Sequence, residues 1–483
     1  MPDATQTLRP LAVCVASFLA MSLALGHPAS SDAALDRDGQ PKTTVFGCFP
    51  GADGILTGGP VPVATSAADD ASFGNLPFTT LLSSGPSSNR IDLVFVGDGF
   101  QSAQLGSYAT VVEQRWLTMK ATEPYLSYLT YFNVHRVDVT SIDSGVDNDP
   151  TPGILKNTAL DSGFWCQGIE RLICANTAKA QNAASSAPDW DQILLAANST
   201  KYGGAGYITE DVCTFSAFNT SSLQVALHEL GHSFGNLADE YDYADGSSYS
   251  GPEVPEPNVS IQTQAAMESS GTKWAPWIGI SLPVVGTHGA FQGARYYQFG
   301  IRRPTSNSLM RSLGLPFNGP CLEQMIVEIH KATKMLDAAS SPLNSTVEQG
   351  TVITATTVEP VSHALTKEWS LNGVVIPGAI GISIDTAVLA FAGPSASLRL
   401  KLIDPTTQVR NEALRASWLT ETYTWTIVPA ACVADLNENG LVDSVDLGLL
   451  LGSWGTGLHD LNSDGTTNAA DLSILLGAWG ACP

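Results

Sequence analysis

Ser221-Ser-Leu-Gln-Val-Ala-Leu-His228-Glu229-Leu-Gly-His232-Ser-Phe-Gly235-Asn-Leu-Ala-Asp239-Glu240-Tyr241 places two histidines one helical turn apart with a glutamate beside the first. On a helix such histidines share a face and can both bind one Zn²⁺, while Glu229 is set to act on the metal's water rather than on the metal. Ser221 to Gln224 has the pattern of a capping box, which predicts a helix start just before the motif. Leu223, Leu227, Leu230 and Phe234 form a core-facing stripe, and the histidines form a neighbouring row that faces a cleft. Gly235 stands where a left-handed residue would end the helix and bring a third ligand back towards the metal. A helix carrying two ordinary surface histidines is the plain alternative. Cap, stripe, motif and glycine agree against it.

The motif, continued as H-E-L-G-H-S-F-G-x-L-A-D-E-Y, resembles the zinc site of the bacterial secreted IgA metallopeptidase family, relatives of the metzincins. Arg90-Ile-Asp-Leu-Val-Phe-Val-Gly-Asp-Gly-Phe100, Tyr131-Phe-Asn-Val-His-Arg-Val-Asp-Val139 and Ser308-Leu-Met-Arg311 are similar to that family as well, so the resemblance spans about residues 75–340. The usual metzincin pattern, H-E-x-x-H-x-x-G-x-x-H, has its third ligand at the position that is Ala238 here, and alanine cannot bind a metal. Asp239 follows directly, and the family resemblance also implies aspartate there, so His228, His232 and Asp239 are the expected ligands of one catalytic zinc. Glu240 is the local rival. Glu323 or Glu328 would serve if the third ligand came from a later helix.

Three protein ligands leave a position for water, whose pKa zinc lowers to about 7. Glu229 is the expected general base, taking the water's proton during attack on a peptide carbonyl and passing it to the leaving amine. The resemblance implies a methionine turn at Met310 beneath the metal. Arg311, Tyr241 and Tyr243 are unranked candidates for stabilising the oxyanion.

Upstream, Ile91–Val96 reads as a buried strand, and Leu105, Tyr108, Val112, Trp116 and Met119 mark a helix. Tyr131–Val139 and Asp191–Ala197 are further strands. The glycine-rich Tyr202–Thr209 is read either as an edge strand that holds extended substrate by main-chain pairing or as a plain loop. Asp98, Asp147 and Asp149 are read either as calcium ligands or as turn aspartates bonding their own backbone. Pro320 opens a helix with Leu322, Met325, Ile326 and Ile329 inward.

Leu11–Leu25 is an apolar run of signal-peptide length behind Arg9, with small residues following, so export and cleavage near residues 26–33 are expected. No later stretch suits a membrane span. Of eight cysteines seven remain after cleavage, in an oxidising compartment. Cys166 with Cys174 and Cys432 with Cys482 are the expected bridges, and Cys213 with Cys321 a third. Cys48 is then left over, with a latency thiolate for the zinc as its one sharp reading. A formal charge of −23, from 23 basic against 46 acidic residues, argues against nucleic acid and anionic membrane as partners.

From about Pro342 the chain turns to short alternating strands with a hairpin signal at Asn372-Gly373, which looks like an immunoglobulin-like sandwich. The end of the chain is a repeat. Asp435, Asn437, Asn439, Leu441, Asp443 and Asp446 recur as Asp460, Asn462, Asp464, Thr466, Asn468 and Asp471, with glycine at the sixth position of each loop. This is the spacing of an EF-hand calcium loop, with Leu441 and Thr466 at the position that offers a backbone carbonyl. Each loop leads into an apolar helix, and the pair resembles a dockerin, which implies two Ca²⁺ and a cohesin-like or cell-surface partner.

The expected fold is therefore multidomain. A signal peptide (1–30) and an N-terminal linker or pro-region (31–75) precede an α/β metzincin-like peptidase domain with a twisted mixed sheet (76–341). An all-β immunoglobulin-like sandwich (342–430) and a small all-α dockerin-like module (431–483) follow. The expected function is a secreted or cell-surface zinc endopeptidase acting on protein substrates. The competing class is a non-catalytic adhesion or scaffold protein attached through its calcium module.

Overall fold

The structure, a computed structural model, describes residues 42–50, 56–64 and 73–482; in the first two stretches it gives the backbone and the Val45 side chain. The expected signal peptide lies outside the described residues, and so does the Cys48 side chain.

The first domain is built on one eight-stranded mixed sheet, in the order β2-β1-β7-β8-β6-β4-β5-β3. The strands are β1 (Lys42–Pro50), β2 (Leu56–Ala64), β3 (Phe78–Leu82), β4 (Ile91–Asp98), β5 (Phe132–Val137), β6 (Gln192–Ala197), β7 (Gly204–Tyr207) and β8 (Val212–Ser216). The central four, β5, β4, β6 and β8, are parallel, and β3 and β7 flank them antiparallel. Every residue of β4 is buried because both faces of the sheet are covered. Ile91, Leu93 and Phe95 pack towards helices α1 (Leu105–Met119) and α3 (Ser222–Ser233), whereas Val94 and Val96 pack towards α2 (Thr177–Ala184).

The stripe read from the sequence faces this core: Leu227, Leu230 and Phe234 are buried in it and Leu223 packs against it. Two details of α3 differ from expectation. The Ser221 side chain makes no capping bond; Asn219 Oδ1 instead accepts the Ser221 N–H at 2.9 Å, so the preceding turn shapes the helix start. The left-handed residue is Asn236 (φ 48°), one place after Gly235. Gly235 serves close packing, since a Cβ there would come 2.6 Å from Met325 Sδ and 2.8 Å from the Gly231 carbonyl.

After α3 come the short helix α4 (Gln264–Ser270), the small β9–β10 hairpin (Ser281–Leu282, Gly286–Thr287) and the β11–β12 hairpin (Phe291–Ala294, Tyr297–Arg303). Helix α5 (Gly319–Ala332) closes the core with Leu322, Met325, Ile326 and Ile329. Asn318 caps it by accepting the Cys321 N–H.

Residues 336–428 form a β unit of two sheets about Trp369 and Trp425. One holds β13 (Leu336–Ala339), β15 (Val352–Thr357) and β18 (Ser383–Asp385). The other holds β14 (Thr346–Glu348), β20 (Thr420–Val428), β19 (Ala396–Ile403), β16 (Thr366–Leu371) and β17 (Val374–Val375). Asn372-Gly373, both at positive φ, make the two-residue hairpin turn. The unit starts earlier than expected, at Leu336, and contains a short helix α6 (Glu412–Trp418) that periodicity did not suggest. It is joined to the first domain through Asp404, which receives the Tyr128 hydroxyl at 2.7 Å and His330 at 3.0 Å, while His363 of the β unit itself lies 2.7 Å from the other oxygen. Arg90 and Asp337 add an ion pair at 2.7 Å.

The C-terminal module places helices α7 (Ser444–Gly452) and α8 (Ala469–Gly477) over a small core of Ala434, Val442, Leu450 and Leu475. Disulfides join Cys166 to Cys174 and Cys432 to Cys482. The expected Cys213–Cys321 bridge is absent. Cys213 is buried in β8 opposite Leu194 and Gly206, and Cys321 starts α5 with its thiol on Glu240 Oε1. Among the described residues no helix is long and apolar enough to cross a membrane.

Candidate metal centre

Helix α3 is buried along its whole second half, and His228, Glu229, His232 and Asp239 are each fully enclosed. His228 Nδ1 lies 3.0 Å from the Leu309 carbonyl and His232 Nδ1 lies 2.7 Å from the Leu237 carbonyl. A carbonyl only accepts, so in both rings the proton sits on Nδ1 and the Nε2 lone pair points inward. The two Nε2 atoms are 3.0 Å apart, and Asp239 Oδ1 is 3.1 Å from the first and 3.3 Å from the second. Three lone-pair donors thus converge on one point. A tetrahedral ion with bonds of about 2.0–2.1 Å holds its ligand atoms about 3.3 Å apart, so the triangle fits such an ion within a few tenths of an ångström.

Charge and burial agree with that fit. Burial pushes the His228 imidazole towards its neutral form, the form that ligates. Burial also works to raise the Asp239 carboxyl, but His232 and His228 beside it hold it well below the usual carboxylate range. Both oxygens of Glu229 are buried without a hydrogen-bond partner among the described residues. Burial first, and the charge of Asp239 second, push that carboxyl well above its ordinary value. An orphaned buried carboxylate is costly unless something it serves enters the site. One oxygen of Glu229 lies close enough to both histidines for these three residues to hold a metal ion as well, but the Asp239 triangle is the tighter one.

The rival carboxylates are engaged elsewhere. Glu240 is enclosed by Ser308 Oγ at 2.7 Å, Asn318 Nδ2 at 2.9 Å and Asn258 Nδ2 at 3.1 Å. It therefore holds three loops together behind the ligands. Glu323 accepts the backbone N–H groups of Arg410 and Asn411, and Glu328 pairs with Lys331. Among the described residues Asp98, Asp147 and Asp149 are not grouped as a metal site. Nor do they bond their own turns: Asp98 accepts from Ser141 Oγ and the Leu160 and Ser162 amides, Asp147 from the Lys156 amide and Asp149 from Ser199 Oγ, so they tie separate loops together.

The turn at Met310 passes under the helix. Leu309 supplies the carbonyl to His228, the Met310 carbonyl accepts the Glu240 N–H at 2.8 Å, and Met310 is fully buried. Of the oxyanion candidates, Arg311 is directed at Asp242, Tyr241 is buried, and half-exposed Tyr243 stacks on Tyr296.

The glycine-rich segment is strand β7, and its glycines admit helix α3. A Cβ on Gly204 would meet Val225 Cγ1 at 2.4 Å, and one on Gly206 would meet Glu229 Oε2 at 3.1 Å. The strand is not at the edge of the sheet. Antiparallel β1 covers its outer side, with Val45 opposite Tyr207 and Phe46 opposite Gly206. Tyr296, Asn258 and Asn318 were not legible as site residues: each reaches the ligand loop from far along the chain, with no local motif to announce it.

The C-terminal loops repeat each other in the main-chain N–H groups their aspartates hold. Asp446 accepts the N–H groups of Leu436, Asn437 and Asp443; Asp471 accepts those of Leu461, Asn462 and Asn468. Asp435 and Asp460 accept from Gly440 and Gly465 in the same way. Asp435 also lies beside Cys482, but that sulfur is in a disulfide and is no metal ligand.

Residues 79–288 match the model of the family described as IgA Peptidase M64, a range that contains the helix, both histidines, Glu229 and Asp239 and stops short of Met310. Comparison with curated proteins finds no match. Through its residues 79–288, with the buried His-Glu-x-x-His helix inside them, the chain is similar to the IgA peptidase M64 family, and that match supports a peptidase.

Proposed function

We propose that the chain is an exported zinc endopeptidase in which His228, His232 and Asp239 hold the metal and Glu229 moves the proton. The observation that carries this reading is the convergence of three lone-pair donors beside a buried carboxylate that has no other partner. A zinc ion there supplies Lewis-acid chemistry. Glu229, raised in pKa by burial, accepts a proton from the attacking water and returns it to the leaving amine. The Leu309 and Leu237 carbonyls fix the two rings so that little reorganisation accompanies the reaction. Met310 floors the site.

Residues 31–75 are read as a pro-region, because β1 from that segment pairs with the strand an extended substrate would otherwise join. The two calcium loops, led by Asp435 and Asp460, are read as a dockerin-like module that holds two Ca²⁺ and docks the enzyme to a cohesin-like or cell-surface partner. Supporting that are their matched bonding and the apolar residues left exposed on α7 and α8 and just beyond their ends, Leu451 and Leu476 on the helices and Trp454 and Trp479 after them. The β unit is read as an immunoglobulin-like spacer. The apolar run at 11–25 and two disulfides support export.

Metal analysis tests the ligand set. The purified chain should hold one zinc, and Asp239→Ala should lower its affinity at least tenfold while His228→Ala abolishes it. Full zinc content in Asp239→Ala would remove Asp239 from the set.

A further inference from the structure

Strands β11 and β12 are joined by Arg295-Tyr296, with Ala294 paired to Tyr297 across the turn. Both turn residues have left-handed backbones, φ 45° and 75°. Two-residue turns of this kind favour Asn-Gly, because a side chain with a Cβ is disfavoured there. A tyrosine held in that conformation marks a place where the surroundings over-determine the backbone, and such strain concentrates at functional sites.

Here the surroundings are the ligand loop itself. The Arg295 N–H donates to the Asp239 carbonyl at 2.9 Å, the Tyr296 N–H to the Tyr241 carbonyl at 3.0 Å, and the Tyr296 carbonyl accepts the Tyr243 N–H. Gly293 lets the hairpin approach, since a Cβ on it would lie 2.6 Å from Asp242 Oδ2. The Tyr296 ring lies against Tyr241 and Tyr243, and its hydroxyl donates to Asp239 Oδ2 at 2.5 Å. The two oxygens of Asp239 are thus divided: Oδ1 faces the histidine nitrogens and Oδ2 is held by Tyr296.

We infer that Tyr296 is a positioning residue that keeps Asp239 a one-oxygen ligand and so reserves the metal's remaining position for water. The inference rests on the zinc reading above. A carboxylate released from that hydrogen bond can bind through both oxygens, which raises the coordination number and crowds out the water. Outer hydrogen bonds of this kind also fix ligand orientation, and their loss costs about 10–100-fold in metal affinity.

The test uses the full chain, with cobalt(II) in place of zinc as a reporter of coordination number and chelator competition for zinc affinity. Tyr296→Phe keeps the ring and removes only the hydroxyl; Tyr296→Gly removes both and suits the left-handed backbone. Both variants should weaken the intense visible band of a four-coordinate cobalt site towards that of a five-coordinate one, and both should bind zinc about 10–100-fold less tightly. If Tyr296→Phe matches the parent in band and affinity and only Tyr296→Gly departs, the residue merely packs the turn and the inference is overturned. A parent chain that takes up neither cobalt nor zinc would overturn the zinc reading itself, and this inference with it.

Discussion

Met310 Sδ sits 2.8 Å from the point a Cβ on Gly231 would occupy, so the turn at Met310 and helix α3 meet where the motif has its smallest residue. Gly231→Ala would gain about 0.5–1 kcal/mol in helix preference but overpack Met310 and Phe317 at a cost of about 1–3 kcal/mol. A net loss of about 1 kcal/mol is expected in urea unfolding. In a Met310→Ala background the same substitution should become stabilising, and equal effects in both backgrounds would show that the two residues do not meet.

The pairing of β1 with β7 leads to a second expectation. A chain beginning at residue 73 lacks the strand that covers β7 and should hydrolyse casein faster than the longer chain, with the change chiefly in KM. Equal KM and kcat in the two forms would show that β1 does not lie in the path of substrate.

The link between the peptidase domain and the β unit should respond to pH on both sides. Burial works to raise Asp404, but His330 and His363 hold it well below the ordinary carboxylate range. Its contribution is present above an unfolded pKa of about 3.9 and is lost as the pH falls through the depressed folded value. Hydrogen bonding to Asp404 raises His363, so its contribution is full below an unfolded pKa of about 6.5 and declines as pH rises through the elevated folded value. Urea midpoints should therefore be highest between about pH 4 and 6.5. His363→Gln should flatten the alkaline side and, by releasing one of the two histidines that hold Asp404 low, soften the acid side as well; an unchanged alkaline slope would assign it to other groups.

Calorimetric titration should find two Ca²⁺ per chain, and one in Asp471→Ala. Free calcium at about a hundred times its Kd should stabilise the module by about 2.7 kcal/mol for each ion bound. A melting transition unmoved by calcium would remove the ion from this part of the account.

Helix α3 was legible because His228, Glu229, His232 and the core stripe all fall on one short periodic segment, where a 3.6-residue repeat decides every side chain's direction. That Asp239 stands beside the two histidines was legible because it directly follows the position the motif reserves for a third ligand. What was not legible depends on partners distant in sequence. The covering of β7 by β1 joins Phe46 to Gly206. Glu240 is set aside by Asn258, Ser308 and Asn318, and the Cys213 and Cys321 side chains turn to different neighbours. The misplacement of the left-handed residue at Gly235 has a local cause. Glycine was read as a conformational need when it meets a packing need against Met325, and Asn236 tolerates the turn instead.

The most direct test compares the zinc content and casein hydrolysis of the parent chain with those of Glu229→Gln. One zinc per chain in both, with turnover in the variant lower by at least a thousandfold, is the predicted result. Hydrolysis by Glu229→Gln at the parent rate, or a parent chain that holds no zinc, would contradict the account.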